Sequence, residues 1–209
     1  MKNRRFLIFP SIAIIIIAAA VAYFVLVGRP GGESGQPARS NQGKTLVVVF
    51  SRSTGVYDGP SEVGHTMRVA NYIQQATNAD LYEIIPSQDY PDDYQETTEV
   101  AREEQDTDAR PQIRDPLPEV GEYESVFVGA PIWWSEYPMV VRTFLDGVDL
   151  NGKTVIPFTT HEGSGPGNTK EQLERQYPDA DVLDGLAIRG GQADDSQDDV
   201  VQWLRQIGH

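Results

Sequence analysis

Short apolar runs alternate with helical patterns along residues 44–209. Strands that alternate with helices are typical of a parallel sheet with helices packed on both faces. We therefore expect an α/β fold built on a doubly wound, five-stranded parallel sheet. The five predicted strands are Thr45–Phe50, Ala79–Ile85, Ser125–Ala130, Thr154–Thr159 and Asp181–Leu186.

Two segments between and after these strands have helical periodicity. Val69–Ala76 and Val200–Ile207 place apolar residues at i, i+3, i+4 and i+7, which predicts one apolar helix face in each. The acidic region between the second and third strands is the least regular part, and we expect one surface helix there, at Asp92–Gln105.

Two further helix starts are marked by single residues. Pro138 can begin a helix, because proline is tolerated in the first turn. Asn168 and Glu171 have the spacing of a capping box, in which two side chains satisfy the free N–H groups of a helix start. We therefore predict helices after the third and fourth strands.

The N-terminal segment differs from the rest of the chain. Phe6–Val27 is a 22-residue apolar stretch without a charge, and Lys2, Arg4 and Arg5 precede it. A helix of that length rises about 33 Å, enough to cross a bilayer core. Since basic flanks tend to stay in the cytoplasm, we expect residues 1–5 to be cytoplasmic, 6–27 to be a transmembrane anchor and the domain to be extracytoplasmic.

A cleavable signal peptide is the alternative, with Ala20-Val21-Ala22 as the small-residue site. The apolar core of a signal peptide usually has about 7–15 residues, and here the apolar run continues past that site. The length therefore favours a retained, single-pass anchor in the cell membrane.

Residues 28–43 are rich in Gly, Pro and Ser, which predicts a flexible linker between the anchor and a domain at residues 44–209. That domain carries 12 basic and 30 acidic residues, a net charge of −18. A surface this acidic is repelled by nucleic acid, so we expect no nucleic-acid partner.

A polar, Gly-containing segment, Ser51–Thr66, joins the first strand to the first helix. A helix start offers free N–H groups and a partial positive charge, so this segment is predicted to hold a phosphate. Gly59–Thr66 has nearly the spacing of a nucleotide-binding P-loop, but His65 takes the place of its lysine, which disfavours a triphosphate hydrolase. A connector without a ligand is the other alternative.

Two more loops should meet the phosphate segment, because ligands of such sheets lie at the carboxyl ends of the strands. Trp133 and Trp134 follow the third strand, and flat indole faces suit stacking on a planar ring. Neighbours in an extended loop point to opposite sides, so we expect one Trp to point inward and the other toward the ligand. The Gly-rich segment Thr160–Gly167 can bring its backbone close to the same ring. Together these features predict a site for flavin mononucleotide (FMN).

Three pairs of segments resemble the flavodoxins, particularly flavodoxin-like proteins with a split phosphate loop and a P-x-W-W motif. The resemblance spans about Lys44–Gly191, although His65 replaces the Asn usual in the family. The pairs are Phe50-Ser51-Arg52 with Gly64-His65-Thr66, Tyr90–Tyr94 with Ala109–Pro111, and Gly129–Trp134 with Thr160–Gly165.

The resemblance implies a noncovalent FMN in a sheet of order 2-1-3-4-5, used for electron transfer or reduction of quinone-like acceptors. The partner would be a redox protein or a quinone-like small molecule. A flavin-free module that binds a partner is the alternative function. The predicted cofactor-binding residues are Ser51, Arg52, Ser53, Gly64, His65, Thr66, Pro131, Ile132, Trp133, Trp134, Thr160, His161, Glu162, Gly163, Ser164 and Gly165.

His161 is the histidine placed to assist proton transfer, with a loop-shaping hydrogen bond as its alternative role. The three histidines, His65, His161 and His209, have no metal-ligand spacing, so the sequence predicts no metal site.

Overall fold

The computed structural model describes residues 43–209. The cytoplasmic N-terminus, the anchor and the linker predicted for residues 1–43 lie outside this part, apart from Gly43. Among the described residues, no helix has the length and apolar character needed to cross a membrane.

A single parallel sheet forms the centre of the domain. Its strand order is β2-β1-β3-β4-β5, which confirms the predicted order and the doubly wound α/β fold. The sixth strand, β6, also pairs with β4. The strands are β1 (Lys44–Val49), β2 (Asp80–Glu83), β3 (Tyr123–Pro131), β4 (Thr154–His161), β5 (Asp181–Val182) and β6 (Leu186–Arg189).

The fifth position of the sheet is divided between β5 and β6, where the sequence predicted one strand. The carbonyl of Val155 in β4 accepts a bond from the Leu183 N–H at 3.0 Å. Pro157, two residues further along β4, faces the same way but has no N–H to donate. Gly185 lies directly against Pro157, too close to carry a Cβ. The missing donor and this close contact explain why the strand is interrupted.

Five α-helices flank the sheet, and all lie where the sequence predicted helices. Each buries an apolar or small-residue face. Short 3₁₀ turns occupy Val120–Glu122 and Gly190–Asp195. The α-helices are α1 (His65–Thr77), α2 (Tyr94–Asp106), α3 (Met139–Gly147), α4 (Thr169–Gln176) and α5 (Gln197–Gln206).

The predicted capping box of α4 is wrong in detail. Asn168 precedes the helix, but its side chain makes no capping bond. Its Nδ2 instead donates to Glu136 Oε1 at 3.1 Å, so the side chain holds the loop after β3. Pro138 likewise directly precedes α3, one position earlier than a first-turn proline.

Two apolar layers cover the two faces of the sheet. Alternate residues of β1 point to opposite faces: Leu46 and Val48 pack with α3 and α4, whereas Val47 and Val49 pack with α1 and α5. This arrangement brings the carboxyl ends of β1, β3 and β4, and the loops that follow them, to one edge of the sheet.

Candidate functional site

The segment Ser51–Thr66, here called the phosphate segment, surrounds the start of α1. Gly64 precedes the helix and lies so close to the Arg52 carbonyl and the Ser51 hydroxyl that a Cβ has no room. Ser51 Oγ accepts the Met67 N–H at 3.0 Å. The first N–H groups of a helix have no partner within it, so this end of α1 is suited to an anion.

Arg52 ties the phosphate segment to the chain around α2. Its Nη1 donates to Thr97 Oγ1 at 3.0 Å, and its Nη2 donates to the carbonyl oxygens of Tyr90 at 3.2 Å and Pro91 at 2.7 Å. Burial lowers the pKa of Arg52. These three acceptors fix the position of the guanidinium, which still lines the cavity described below.

Residues 54–63, here called the insertion, fold over the start of α2. The Ser61 N–H donates to the Ser53 carbonyl at 2.9 Å and closes the base of the insertion. Thr54 Oγ1 donates to Asp92 Oδ1 at 2.7 Å. At the tip, the Tyr57 ring meets the Tyr94 ring edge-on, with centroids 5.7 Å apart.

The two tryptophans point in different directions, as the sequence predicted. The Trp133 ring packs edge-on against Phe50 and Tyr90, at centroid distances of 5.6 and 5.0 Å. Trp134 is 45% exposed, with a positive φ of 49°. Its indole N–H donates to the Thr98 carbonyl at 3.1 Å, and the Arg102 guanidinium lies 3.7 Å from its ring centroid. Trp133 is therefore half-buried and packs against the core, and Trp134 presents its ring at the surface.

The loop after β4 is joined to α1 by a buried contact. Thr160 Oγ1 lies 2.7 Å from Thr66 Oγ1. His161 Nδ1 accepts the Gly163 N–H at 2.9 Å, which requires a neutral imidazole nitrogen. Burial, with a contribution from Arg189, lowers the pKa of His161. This bond shapes the loop after β4, which is the alternative role predicted for His161 from the sequence.

The three loops and α2 enclose a cavity of about 290 Å³. Five predicted residues do not line it: Ser51, Ser53, Gly64, Gly163 and Gly165. The predicted residues that do line it are Arg52, His65, Thr66, Pro131, Ile132, Trp133, Trp134, Thr160, His161, Glu162 and Ser164.

One wall of the cavity was not predicted. It comes from α2, and its residues have the spacing i, i+3, i+4 and i+7, a helical-face signal that could have been found in the sequence. The contribution of the insertion had no such signal, because it depends on how the loop folds back. The additional lining residues are Gly55, Val56, Tyr57, Tyr94, Thr97, Thr98 and Ala101.

His65 meets two carboxylates, one seven residues before it and one in the loop after β4. Its Nε2 lies 2.9 Å from Asp58 Oδ2 in the insertion, and Glu162 from the loop after β4 completes the group. Burial raises the pKa of Glu162, and the charge of Asp58 adds to the effect, whereas His65 and Arg189 oppose it. The sequence alone does not predict this cluster, because the position of Asp58 depends on how the insertion folds and Glu162 lies far from His65 along the chain.

Comparison with known proteins agrees with the fold. No curated protein matches the chain. A protein from Bacteroides eggerthii, assigned as a flavoprotein, is 32% identical, covers 80% of this chain and 99% of its own, and has a TM-score of 0.64. A similarly assigned protein from Bacteroides uniformis is 31% identical, covers 78% and 99%, and has a TM-score of 0.63.

A more distant flavoprotein from Lactobacillus acidophilus, solved in complex with FMN, is 19% identical. It covers 75% of this chain and 99% of its own, with a TM-score of 0.54. The family model described as flavodoxin matches residues 44–207. The chain therefore belongs to the flavodoxin family.

Proposed function

We propose that this chain is an FMN-binding flavoprotein, anchored in the cell membrane, that transfers electrons to a redox protein or a quinone-like acceptor. The observation that carries the proposal is the cavity between the start of α1, the loop after β3 that contains Trp134, and the loop after β4. The solved FMN complex of the family member from Lactobacillus acidophilus supports the choice of cofactor.

The phosphate of FMN fits the start of α1. The N–H groups of His65 and Thr66 occupy the first positions of the helix, where no intrahelical acceptor exists. Gly64 lets the backbone pass close to Arg52 and leaves that end of the helix open to an anion. The negative charge of a phosphate is favoured there by the helix dipole.

The flavin ring fits the aromatic wall. In the described part of the chain, the exposed large apolar side chains are Tyr57 at 65%, and Tyr94 and Trp134 at 45% each. All three line the cavity. Aromatic surface is costly to expose in one patch, and planar rings stack on it favourably, so a planar ligand explains this exposure.

A bound flavin supplies the redox chemistry, and the chain adjusts its access and its potential. The domain that surrounds the cavity carries a net charge of −18. Like charge disfavours a more negative flavin, so we expect a low reduction potential. We expect His161, whose Nδ1 accepts the Gly163 N–H, to hold the loop through this bond.

Attachment to the membrane rests on the sequence. The uncharged span at residues 6–27 and the basic residues before it support an anchor with the domain on the extracytoplasmic side. The linker at residues 28–43 would let the domain reach a partner near the membrane surface.

The test is reconstitution of the full-length chain with FMN, followed by absorbance and flavin fluorescence. We expect a yellow protein whose flavin, once reduced with dithionite under anaerobic conditions, is reoxidised by a soluble benzoquinone. Gly64→Ala should reduce FMN uptake because its Cβ collides with the Arg52 carbonyl, whereas Gly191→Ala, which meets no atom within 4 Å, should not. A folded protein that takes up no FMN would instead support the flavin-free partner-binding module.

A further inference from the structure

We propose that Asp58, His65 and Glu162 form a binding site for a divalent transition-metal ion such as Zn²⁺, beside the start of α1. The three side chains come from three separate segments: the insertion, the first residue of α1 and the loop after β4. Each offers one ligand atom, and these atoms lie within 4.8 Å of one another. This proposal goes beyond the proposed function, and the ion would bind whether or not FMN is present.

The geometry is near that of a metal site. Zn²⁺ binds His nitrogen and carboxylate oxygen at about 2.0–2.2 Å, so ligand atoms around a tetrahedral ion lie roughly 3.4 Å apart. The Asp58 and His65 atoms are already 2.9 Å apart. Asp58 and Glu162 are exposed, so small rotations of their carboxylates can close the remaining gap.

A glycine makes room for two of the three ligands. Gly190 lies directly against the Glu162 carboxylate and the His65 ring, and a Cβ at this position would be 2.9 Å from His65 Cδ2 and closer still to Glu162. The glycine therefore lets both side chains lie side by side over the chain.

The ligand chemistry selects the ion. One imidazole and two carboxylates suit Zn²⁺ or another borderline transition metal, whereas Mg²⁺ and Ca²⁺ prefer oxygen ligands. Three protein ligands leave at least one position open in a four-coordinate site.

Charge gives the ion a role at the cavity, a step that rests on the proposed function. Two carboxylates beside the start of α1 would repel the FMN phosphate expected there. A divalent cation neutralises both and offers its open position to a phosphate oxygen. By linkage, Zn²⁺ should then tighten FMN binding, and FMN should tighten Zn²⁺ binding by the same factor.

The experiment is calorimetric titration of Zn²⁺ into the full-length chain, produced without a polyhistidine tag and stripped with a chelator. We expect one Zn²⁺ per chain and at least tenfold weaker binding in His65→Gln, Asp58→Asn and Glu162→Gln. Glu62→Gln is the matched control, because it removes an exposed carboxylate from the same insertion but outside the cluster, and its affinity should equal that of the wild type. Gly190→Ala should also weaken binding, although it removes no ligand atom.

Two results of the Zn²⁺ titrations would overturn the site: no stoichiometric Zn²⁺ binding, which leaves an ion pair only, or Zn²⁺ binding by His65→Gln as tight as that of the wild type. Ca²⁺ binding as tight as Zn²⁺ binding would also overturn it, because it would indicate a merely acidic surface. FMN titrations with and without Zn²⁺ test the second step separately. Unchanged FMN affinity in a Zn²⁺-loaded chain would overturn the phosphate role, and failure to bind FMN at all would count against the proposed function instead.

Discussion

Trp133 and Trp134 are adjacent in the sequence but differ in burial and in their contacts. Trp133 fills space between Phe50 and Tyr90. Trp134 is turned outward by a left-handed backbone and is held by the Thr98 carbonyl. We therefore expect the same residue type to contribute to stability at one position and to FMN binding at the next.

Alanine substitution should separate these two tasks. Trp134→Ala should weaken FMN binding by about 1–3 kcal/mol, the loss of an aromatic stack and its buried area, with little change in melting temperature. Trp133→Ala should lower the free energy of unfolding by about 3 kcal/mol, the low end for a large aromatic, since the ring is half-buried. Fluorescence titration and urea denaturation measure the two effects. Full FMN affinity in both variants would mean that the tryptophans serve packing alone.

We expect the stability of the fold to depend on pH through His209. Its ring lies edge-on to Phe127 at 5.2 Å, and burial lowers its pKa below the ordinary value. A lowered pKa means that protonation favours the unfolded chain, so the stabilisation is present above about pH 6.5 and is lost as the pH falls through the folded-state pKa.

His209→Asn should remove this dependence, because Asn stays neutral. Between pH 7.5 and 5.0, the wild type should lose more free energy of unfolding in urea than the variant does. The other titrating groups are common to both proteins and cancel in the difference. Equal losses of free energy of unfolding in the two proteins would show that the protonation of His209 does not affect stability.

At the scale of elements, the pairing of the strands is continuous at the centre of the sheet and interrupted at its fifth position. β3 is nine residues long and buried through most of its length, whereas the fifth position is interrupted opposite Pro157. Close packing at the centre also limits residue size. Gly129 in β3 lies against the Phe158 ring of β4, and no Cβ fits between them.

Gly129→Ala should therefore destabilise the domain by roughly 1–3 kcal/mol, as overpacking in a tight core does. Gly121→Ala is the matched control, since its Cβ would meet no atom within 4 Å, and it should change stability by less than about 0.5 kcal/mol. Urea denaturation of both variants measures the difference. Similar stabilities would mean that the Phe158 ring can move aside without cost.

The sequence was sufficient to predict the elements because each carries its own periodic or apolar pattern. The five strand positions, the sheet order and the helices α1 to α5 all followed from such patterns or from the family resemblance. The interruption opposite Pro157 did not, because it depends on which edge of β4 the proline faces. The contacts of Asp58 with His65 also could not be predicted, since they depend on the fold of the insertion.

At the scale of the whole chain, residues 1–43 and residues 44–209 differ in charge and in hydropathy. The first 43 residues carry five basic residues and one acidic residue, whereas the remainder carries a net charge of −18. A domain that acidic is kept away from anionic lipid surfaces, so attachment to a membrane would depend on the apolar span at residues 6–27 rather than on the domain.

This arrangement predicts the outcome of a protease experiment on intact cells. Protease added outside should release the domain by cutting within the linker at residues 28–43, as seen on an immunoblot against the domain. Protection in intact cells, with cleavage only after lysis, would place the domain on the cytoplasmic side. A domain found free in the medium without protease would favour the cleaved signal peptide.

The central claim is that the cavity holds FMN by its phosphate at the start of α1. Comparison of the dissociation constants of FMN and riboflavin for the full-length chain, by fluorescence quenching, tests it most directly. Riboflavin has the same ring and lacks only the phosphate, and one charge-assisted hydrogen bond contributes about 1.5–3 kcal/mol. We predict that riboflavin binds at least about tenfold more weakly than FMN. Equal affinity for the two would contradict the assignment.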